Sequence, residues 1–407
     1  MKSRIISLSA FTLLSFAAAH ADLSFAADEA PFGVSKSQDA PVIQLGPVEV
    51  HPFISLQETY SDNIYLAPVI KNQDLITTLA PGVQFKMPIR RHALFLTGTM
   101  TIKRYADYSS ENNTDWSLSG AGDFNFGSRI NLKLSDSYLA GHEPRSQSPL
   151  SAVSDLEKFT NNNASASLTY ILADISKLQL DYGNDYWKFT NSPFRSRDEN
   201  LVSAYAYYRV MPKTSLFAEY DFKNVFFSEK GSGKDLDNNV HSALLGVTWE
   251  LSAQSKGTVK GGYLYKAFDD TAQKDFSTFA ASADVSHHFS DYNSVKLVGA
   301  RAVNESSLLG TRYSVSTGLT GEFTHKFNDR LSASLKASFS DELFSNIVLP
   351  DTVKRSDQVA LVGVKAMYSF RRWLDTSLEY YRRQKDSNIA TYDSTENNIS
   401  LTVKAFF

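Results

Sequence analysis

Alternation with a period of two recurs along almost the whole chain, and it limits the fold more than any other feature. Near the C-terminus, Ile399, Leu401, Val403, Ala405 and Phe407 are apolar. Asn398, Ser400, Thr402, Lys404 and Phe406 lie between them and are mostly polar. That period means a β-strand with one face in an apolar medium and the other in water. Leu178, Leu180 and Tyr182 alternate in the same way with Lys177, Gln179 and Asp181, and Leu331, Ala333, Leu335, Ala337 and Phe339 with Ser332, Ser334, Lys336 and Ser338. From Val48 to Phe407 about eighteen such segments follow one another.

The connections between them alternate strictly between short and long. Short ones include Gly127-Ser128, Asp174–Ser176 and Asn328–Arg330; long ones include 61–74, 141–162 and 344–356. Tight turns at one rim and longer loops at the other are the layout of an outer-membrane barrel. A soluble sandwich has no such two-sided pattern. Closure also removes the open strand edges that lipid cannot satisfy. The sequence therefore predicts an all-β fold: a transmembrane, antiparallel, up-and-down β-barrel of about 18 strands, with 16 as the alternative count. An even count puts both termini on the periplasmic side. The aromatic end resembles the C-terminal signature of bacterial outer-membrane barrels, and on that resemblance Phe407 is the assembly signal read by the barrel assembly machinery.

Composition agrees. Aromatic residues make up 13 % of the chain, with 20 Tyr and 27 Phe, more than a soluble core needs. The mean hydropathy is only −0.27, as expected when half of every strand faces water. A net charge of −3 gives no reason to expect nucleic acid. With no cysteine, thiol catalysis and thiolate metal sites are excluded. Aromatics near strand ends (Tyr105 and Tyr108, Trp116, Tyr186 and Trp187, Phe226 and Phe227, Trp249, Phe289, Phe370, Trp373) fit interfacial girdles.

Residues 1–21 read as a secretory signal peptide: Lys2 and Arg4, an apolar run, then Ala19-His20-Ala21 for cleavage, with an alternative cut after Ala26. Residues 22–47 form a periplasmic N-terminal tail, and 48–407 the barrel. The expected location is the outer membrane of a Gram-negative bacterium, with outer-membrane lipid as the surrounding partner.

The first hairpin carries a more specific signal. Glu58-Thr59-Tyr60-Ser61-Asp62-Asn63-Ile64-Tyr65-Leu66-Ala67-Pro68 is followed by Asp74-Leu75-Ile76 and Leu79-Ala80-Pro81-Gly82-Val83. This resembles the opening of the putative β-barrel porin type 2 family. Members are often associated with exopolysaccharide biosynthesis systems. The resemblance implies a porin-like channel, foremost the outer-membrane pore for secretion of an exopolysaccharide, with a periplasmic polysaccharide export protein as partner and a polysaccharide or oligosaccharide as substrate. Alternatives are a general or sugar-uptake porin and, from another class, a structural or adhesive surface barrel. Physically, Asp62 and Asn63 are good turn residues, and Pro81-Gly82 inside a strand suggests a bend or bulge. The motif reads as structural.

Turning the polar face inward gives a candidate lumen wall. It comprises Asp123, Lys133, Asp181, Asp185, Tyr205, Tyr207, Arg209, Glu219, Asp221, Glu250, Lys260, Lys296, Glu322, Lys336, Lys365, Glu379, Tyr381 and Lys404. The two signs nearly balance, so no strong ion selectivity is expected. These charges pair and hydrate the interior, or they line a transit path on which Tyr205, Tyr207, Phe217 and Tyr381 stack against sugar rings. The third outer loop, 141–162, with Arg145, Asp155, Glu157 and Lys158, is a candidate constriction loop by analogy with general porins; a solvated cap is the alternative. No enzyme is expected. His287 and His288 are adjacent and face opposite sides of a strand, so they cannot share a metal, and no His-Glu-x-x-His occurs. No cofactor is expected.

Overall fold

The computed structural model describes residues 42–143, 156–229, 235–252, 254–306, 311–347 and 353–407. A short strand, β1 (Ile43–Leu45), pairs antiparallel with the start of β2 (Val48–Ser61). Eighteen strands of 13 to 16 residues then run from β2 to β19 (Ser394–Phe406). Each pairs antiparallel with its neighbour in sequence, and β19 pairs back onto β2, closing the sheet. Residues 1–41, which hold the expected signal peptide and nearly all of the expected tail, lie outside the described residues, as does 144–155 of the third loop.

The strands extend past the alternating segments, mostly at the long-loop rim. β7 spans Lys158–Ala173, β9 Arg197–Met211 and β18 Leu374–Ser387. Both faces are polar there: Asn161 and Asn162 in β7, Asp198 to Asn200 in β9, Lys385 and Asp386 in β18. A strand clear of the bilayer has no lipid to face, so its pattern fades although its ladder continues.

Burial identifies the two faces. Side chains inside a closed barrel converge and bury one another; those outside diverge. The apolar set is the exposed one, with Leu245 at 72 % and Leu319 at 58 %, whereas Glu219 and Asp221 are each 4 % exposed. The apolar face is therefore the outer one. Neighbouring aromatics divide between the faces by the strand pleat. Trp116, Tyr186, Phe226, Phe289, Phe370 and Trp373 are exposed, in keeping with girdles. Three girdle assignments need correction: Tyr105, Trp187 and Phe227 share register positions with inner-face residues. Trp187 stacks on Phe189 inside the wall, and Phe227 is buried.

The motif after β2 locks the barrel shut. The Asn63 side chain donates to the carbonyls of Ala67 and Thr395 and accepts from the Ala67 N–H. The Asp62 carboxylate accepts from the backbone and side-chain N–H groups of Asn397. In β3 (Asp74–Ile89) the pairing with β4 (His92–Tyr105) skips Ala80 and Pro81, the irregularity Pro imposes on a ladder.

Candidate functional site: the lumen and its mouth

The strand register places all eighteen proposed lumen residues on the inner face. Opposite charges sit directly across from one another on neighbouring strands, the arrangement that stabilises a sheet face. Asp123 opposes Lys133. Glu322 opposes Lys296 on one side and Lys336 on the other. Lys365 opposes Glu379, and Asp375 opposes Lys404. Lys260 Nζ donates to both Glu219 oxygens at 2.6 and 2.8 Å. Asp185 accepts from Asn161 at 2.6 Å and from the Trp187 indole at 2.8 Å. Arg209 opposes Ser215, Glu250 opposes Lys256, and Tyr381 opposes Asn398, which donates to its hydroxyl.

Three aromatic rings form a shelf on this wall. They come from β9 (Arg197–Met211) and β10 (Thr214–Phe227). Tyr205 and Tyr207 stack at 5.9 Å, and Tyr207 lies 5.2 Å from Phe217. Lys177 Nζ caps the Tyr207 ring at 4.1 Å, a cation–π contact. Opposite Phe217 stands Gly246, where a Cβ would collide with the ring; glycine lets the ring lie flat against the wall. Asp181, Glu219 and Asp221 stand beside the shelf, with Gln179 donating to both oxygens of Asp181. An apolar ring surface next to carboxylate acceptors and ammonium donors suits a ligand with C–H faces and many hydroxyls. Tyr381, on β18 (Leu374–Ser387), is not part of the shelf.

The mouth holds a feature that periodicity did not reveal. β13 (Phe276–His288) and β14 (Asn293–Glu305) pair over only eight residues, from His288↔Ser294 to Ala281↔Arg301. β14 stays paired with β15 (Tyr313–Lys326) up to Glu305↔Tyr313. Leu297 and Arg301 hold outer-face positions in β14, and steps of two lead from them to Val303 and Glu305. Yet Val303 is 6 % exposed, packed with Val315 against Val240, Leu244, Leu264 and Ala280. Those four belong to the inner face of β11 (Asn238–Ser252), β12 (Ser255–Phe268) and β13. The upper ends of β14 and β15 have therefore swung inside the wall as a second layer. Tyr313 stacks on Phe276 at 4.4 Å, and the Arg312 guanidinium lies 5.7 Å from the Phe268 ring. Glu305 is held by Lys266 Nζ at 2.5 Å and by the Asn238 amide at 3.3 Å. This shoulder takes space from the lumen at the long-loop rim.

Of the four residues proposed for the third loop, Arg145 and Asp155 lie outside the described residues. Glu157 is buried and accepts from the Asn191 N–H, and Lys158 opens β7 opposite His142. Glu143, at the loop's other end, makes a two-pronged, 2.7–2.8 Å pair with Arg195. Phe407 is exposed, and its N–H donates to the Pro52 carbonyl. Among the described residues no group of His, Cys, Asp and Glu could hold a metal ion.

The family described as Putative beta-barrel porin 2 matches residues 39–407. No curated protein matches. Among solved structures, a BenF-like porin from Pseudomonas fluorescens Pf-5 is 10 % identical, with 88 % of this chain and 99 % of that one covered and a TM-score of 0.49. OccK2 (OpdF) from Pseudomonas aeruginosa, in complex with glucuronate, is 10 % identical, covering 90 % and 98 %, at 0.48. OpdL from Pseudomonas aeruginosa is 11 % identical, covering 89 % and 99 %, at 0.47.

Proposed function

This chain belongs to the Putative beta-barrel porin 2 family, a porin-like outer-membrane barrel, and from that premise we propose that it is the outer-membrane pore through which an exopolysaccharide leaves the cell. The observation that carries the reading is the shelf of Tyr205, Tyr207 and Phe217 beside Asp181, Glu219 and Asp221. A sugar ring offers C–H faces to aromatic planes and hydroxyls to carboxylates and ammonium groups. The cross-strand charge pairs keep the rest of the wall polar but close to neutral, so a hydrated chain slides without a deep electrostatic trap.

In this reading the eighteen inner-face residues touch the passing polymer, and the first 21 residues direct export. Both termini are periplasmic, where a polysaccharide export protein delivers the chain. Deleting the gene should abolish surface polysaccharide while the periplasm accumulates it. Normal surface polysaccharide together with lost oligosaccharide uptake would replace export by the uptake porin reading. In planar bilayers, neutral oligosaccharides should block the current, and Tyr207→Ala should weaken that block about tenfold, as loss of roughly 1.4 kcal/mol implies.

A further inference from the structure

Two strand edges at the long-loop rim lack a strand partner, and their registers match. β13 from Phe276 to Ala280 is paired with β12 alone, and β14 from Ala302 to Glu305 with β15 alone. Continuing the register beyond Ala281↔Arg301 sets Ala280 opposite Ala302, Phe279 opposite Val303, Thr278 opposite Asn304 and Ser277 opposite Glu305. No residue has to be inserted or removed. Backbone N–H and C=O groups need hydrogen-bond partners when buried, and β14 carries its vacant edge through four buried residues, Ala302, Val303, Asn304 and Glu305.

The side chains of the shoulder also fit the wall they have left. On the outer face one row of the register runs Tyr263, Phe279, Val303, Val315 and Leu343, the last on β16 (Leu331–Phe344). Every member is aliphatic or aromatic. Tyr263, Phe279 and Leu343 are exposed, whereas Val303 and Val315 are the two turned inside. The opposite track of the shoulder carries Ala302, Asn304, Ser314 and Ser316. Small and polar residues of this kind suit the lumen side of a barrel strand. Because the side-chain period is two, such a pattern specifies which face points out. Here it specifies a place in the wall as well as the inner layer the strands now form.

We propose that the shoulder is a gate: β14 zips onto β13 and carries the upper end of β15 with it, so that the second layer leaves the lumen and the mouth widens. Two sets of interactions oppose each other. The closed state keeps the Glu305 carboxylate on Lys266 and Asn238, the apolar cluster, and the Arg301 contact to Thr278 at 3.5 Å. The open state gains the missing rungs of the ladder and completes the outer row. In exchange it uncovers Val240, Leu244, Leu264 and Ala280 to the lumen. Glu305 is the latch, because it is the charged group that leaves its partners when the strands zip. The inference rests on register and burial, and not on what the lumen carries.

Cysteine crosslinking in the full-length protein tests it, and the chain has no cysteine of its own. Phe279 lies on the outer face and Val303 inside the wall, so a Phe279→Cys/Val303→Cys disulfide requires the zipped register. Thr278→Cys/Asn304→Cys is the neighbouring pair. Successive rungs of an antiparallel ladder alternate between wider and closer spacing, so one of the two pairs has the closer geometry. Folding of each variant is checked by heat-modifiable migration on gels before oxidation. In planar bilayers the reduced variants should conduct as the parent does. Oxidised protein of at least one pair should show severalfold higher single-channel conductance, and reductant should reverse the rise. Glu305→Gln should speed crosslinking about tenfold, the effect of losing a hydrogen bond to a charged group. Failure of both folded pairs to crosslink, with or without Glu305→Gln, overturns the gate. So does a disulfide that forms and leaves conductance at the reduced value. Crosslinking at an unchanged rate with Glu305→Gln removes Glu305 as the latch.

Discussion

Two seams of this barrel are shorter than the rest, and they are repaired in opposite ways. The closing seam between β19 and β2 has nine paired residues, from Ser61↔Asn398 to Phe53↔Phe406. The β13–β14 seam has eight. The other sixteen have eleven to fourteen. Where β19 and β2 part at the long-loop rim, polar side chains take over the ladder: Asp62 holds Asn397, Asn63 holds the Thr395 carbonyl, and Ser61 donates to Glu396. Where β13 and β14 part, the Arg301 guanidinium reaches Thr278 at 3.5 Å, and apolar packing with a buried ion pair fills the space. Polar bridging makes a fixed joint. Apolar packing against an inner wall makes a layer that can separate without leaving hydrogen-bonding groups stranded, apart from its single latch.

Removing Phe407 should have the largest effect, and on assembly rather than on the assembled pore. The closing seam would lose its last rung, the Phe407 N–H to the Pro52 carbonyl at 2.9 Å, together with the terminal aromatic. Outer-membrane yield should fall steeply while single-channel conductance of the surviving protein stays at the parent value. Unchanged yield would show that the seam closes without its end.

The β13–β14 seam should be most sensitive at its latch. Lys266 and Glu305 side chains are 1 % and 2 % exposed. Lys266→Met strands the Glu305 charge, at a cost of about 3–5 kcal/mol. The double change Lys266→Met/Glu305→Met should recover most of it, because a buried ion pair replaced by apolar groups is often neutral. Urea titration of heat-modifiable migration in vesicles would measure both. Equal loss in the single and double variants would mean the pair does more than hold charge. At the closing seam, Asn63→Ala should cost roughly 1–3 kcal/mol, since the two carbonyls and one N–H its amide serves are left to water or to nothing.

These two seams also mark what the sequence reveals and what it hides. Alternation gives every barrel strand, because each residue of a membrane-crossing strand answers to lipid or water locally. It gives the inner face of Asp123, Glu219, Lys260 and Lys404 for the same reason. Adjacent aromatics are harder: in Tyr186-Trp187 and Phe226-Phe227 only the first of each pair is exposed, and composition cannot say which. The shoulder is nearly hidden. β14 and β15 alternate as regularly as their neighbours, and their departure from β13 is a matter of long-range register. One trace is present: Arg301 and Glu305 fall on the same two-residue track as Leu297, where a lipid-facing strand should carry no charge. Read for interruptions as well as for continuity, that track points to the place where the wall leaves the lipid.

The smallest expected effect sharpens the comparison at the short-turn end of the closing seam. Phe53 opposes Phe406 and Gly82 on its two sides, and Lys404 Nζ lies 5.1 Å from its ring. A Cβ on Gly82 would collide with the tip of that ring. The clash involves the far end of a side chain rather than backbone, so the ring can tilt away. Gly82→Ala should therefore cost about 1 kcal/mol, the low end for overpacking. Phe53→Leu in the same chain should cancel most of that loss by removing the ring edge. If Gly82→Ala instead costs as much as Lys266→Met, the ring is fixed, and the closing seam is rigid at both its ends.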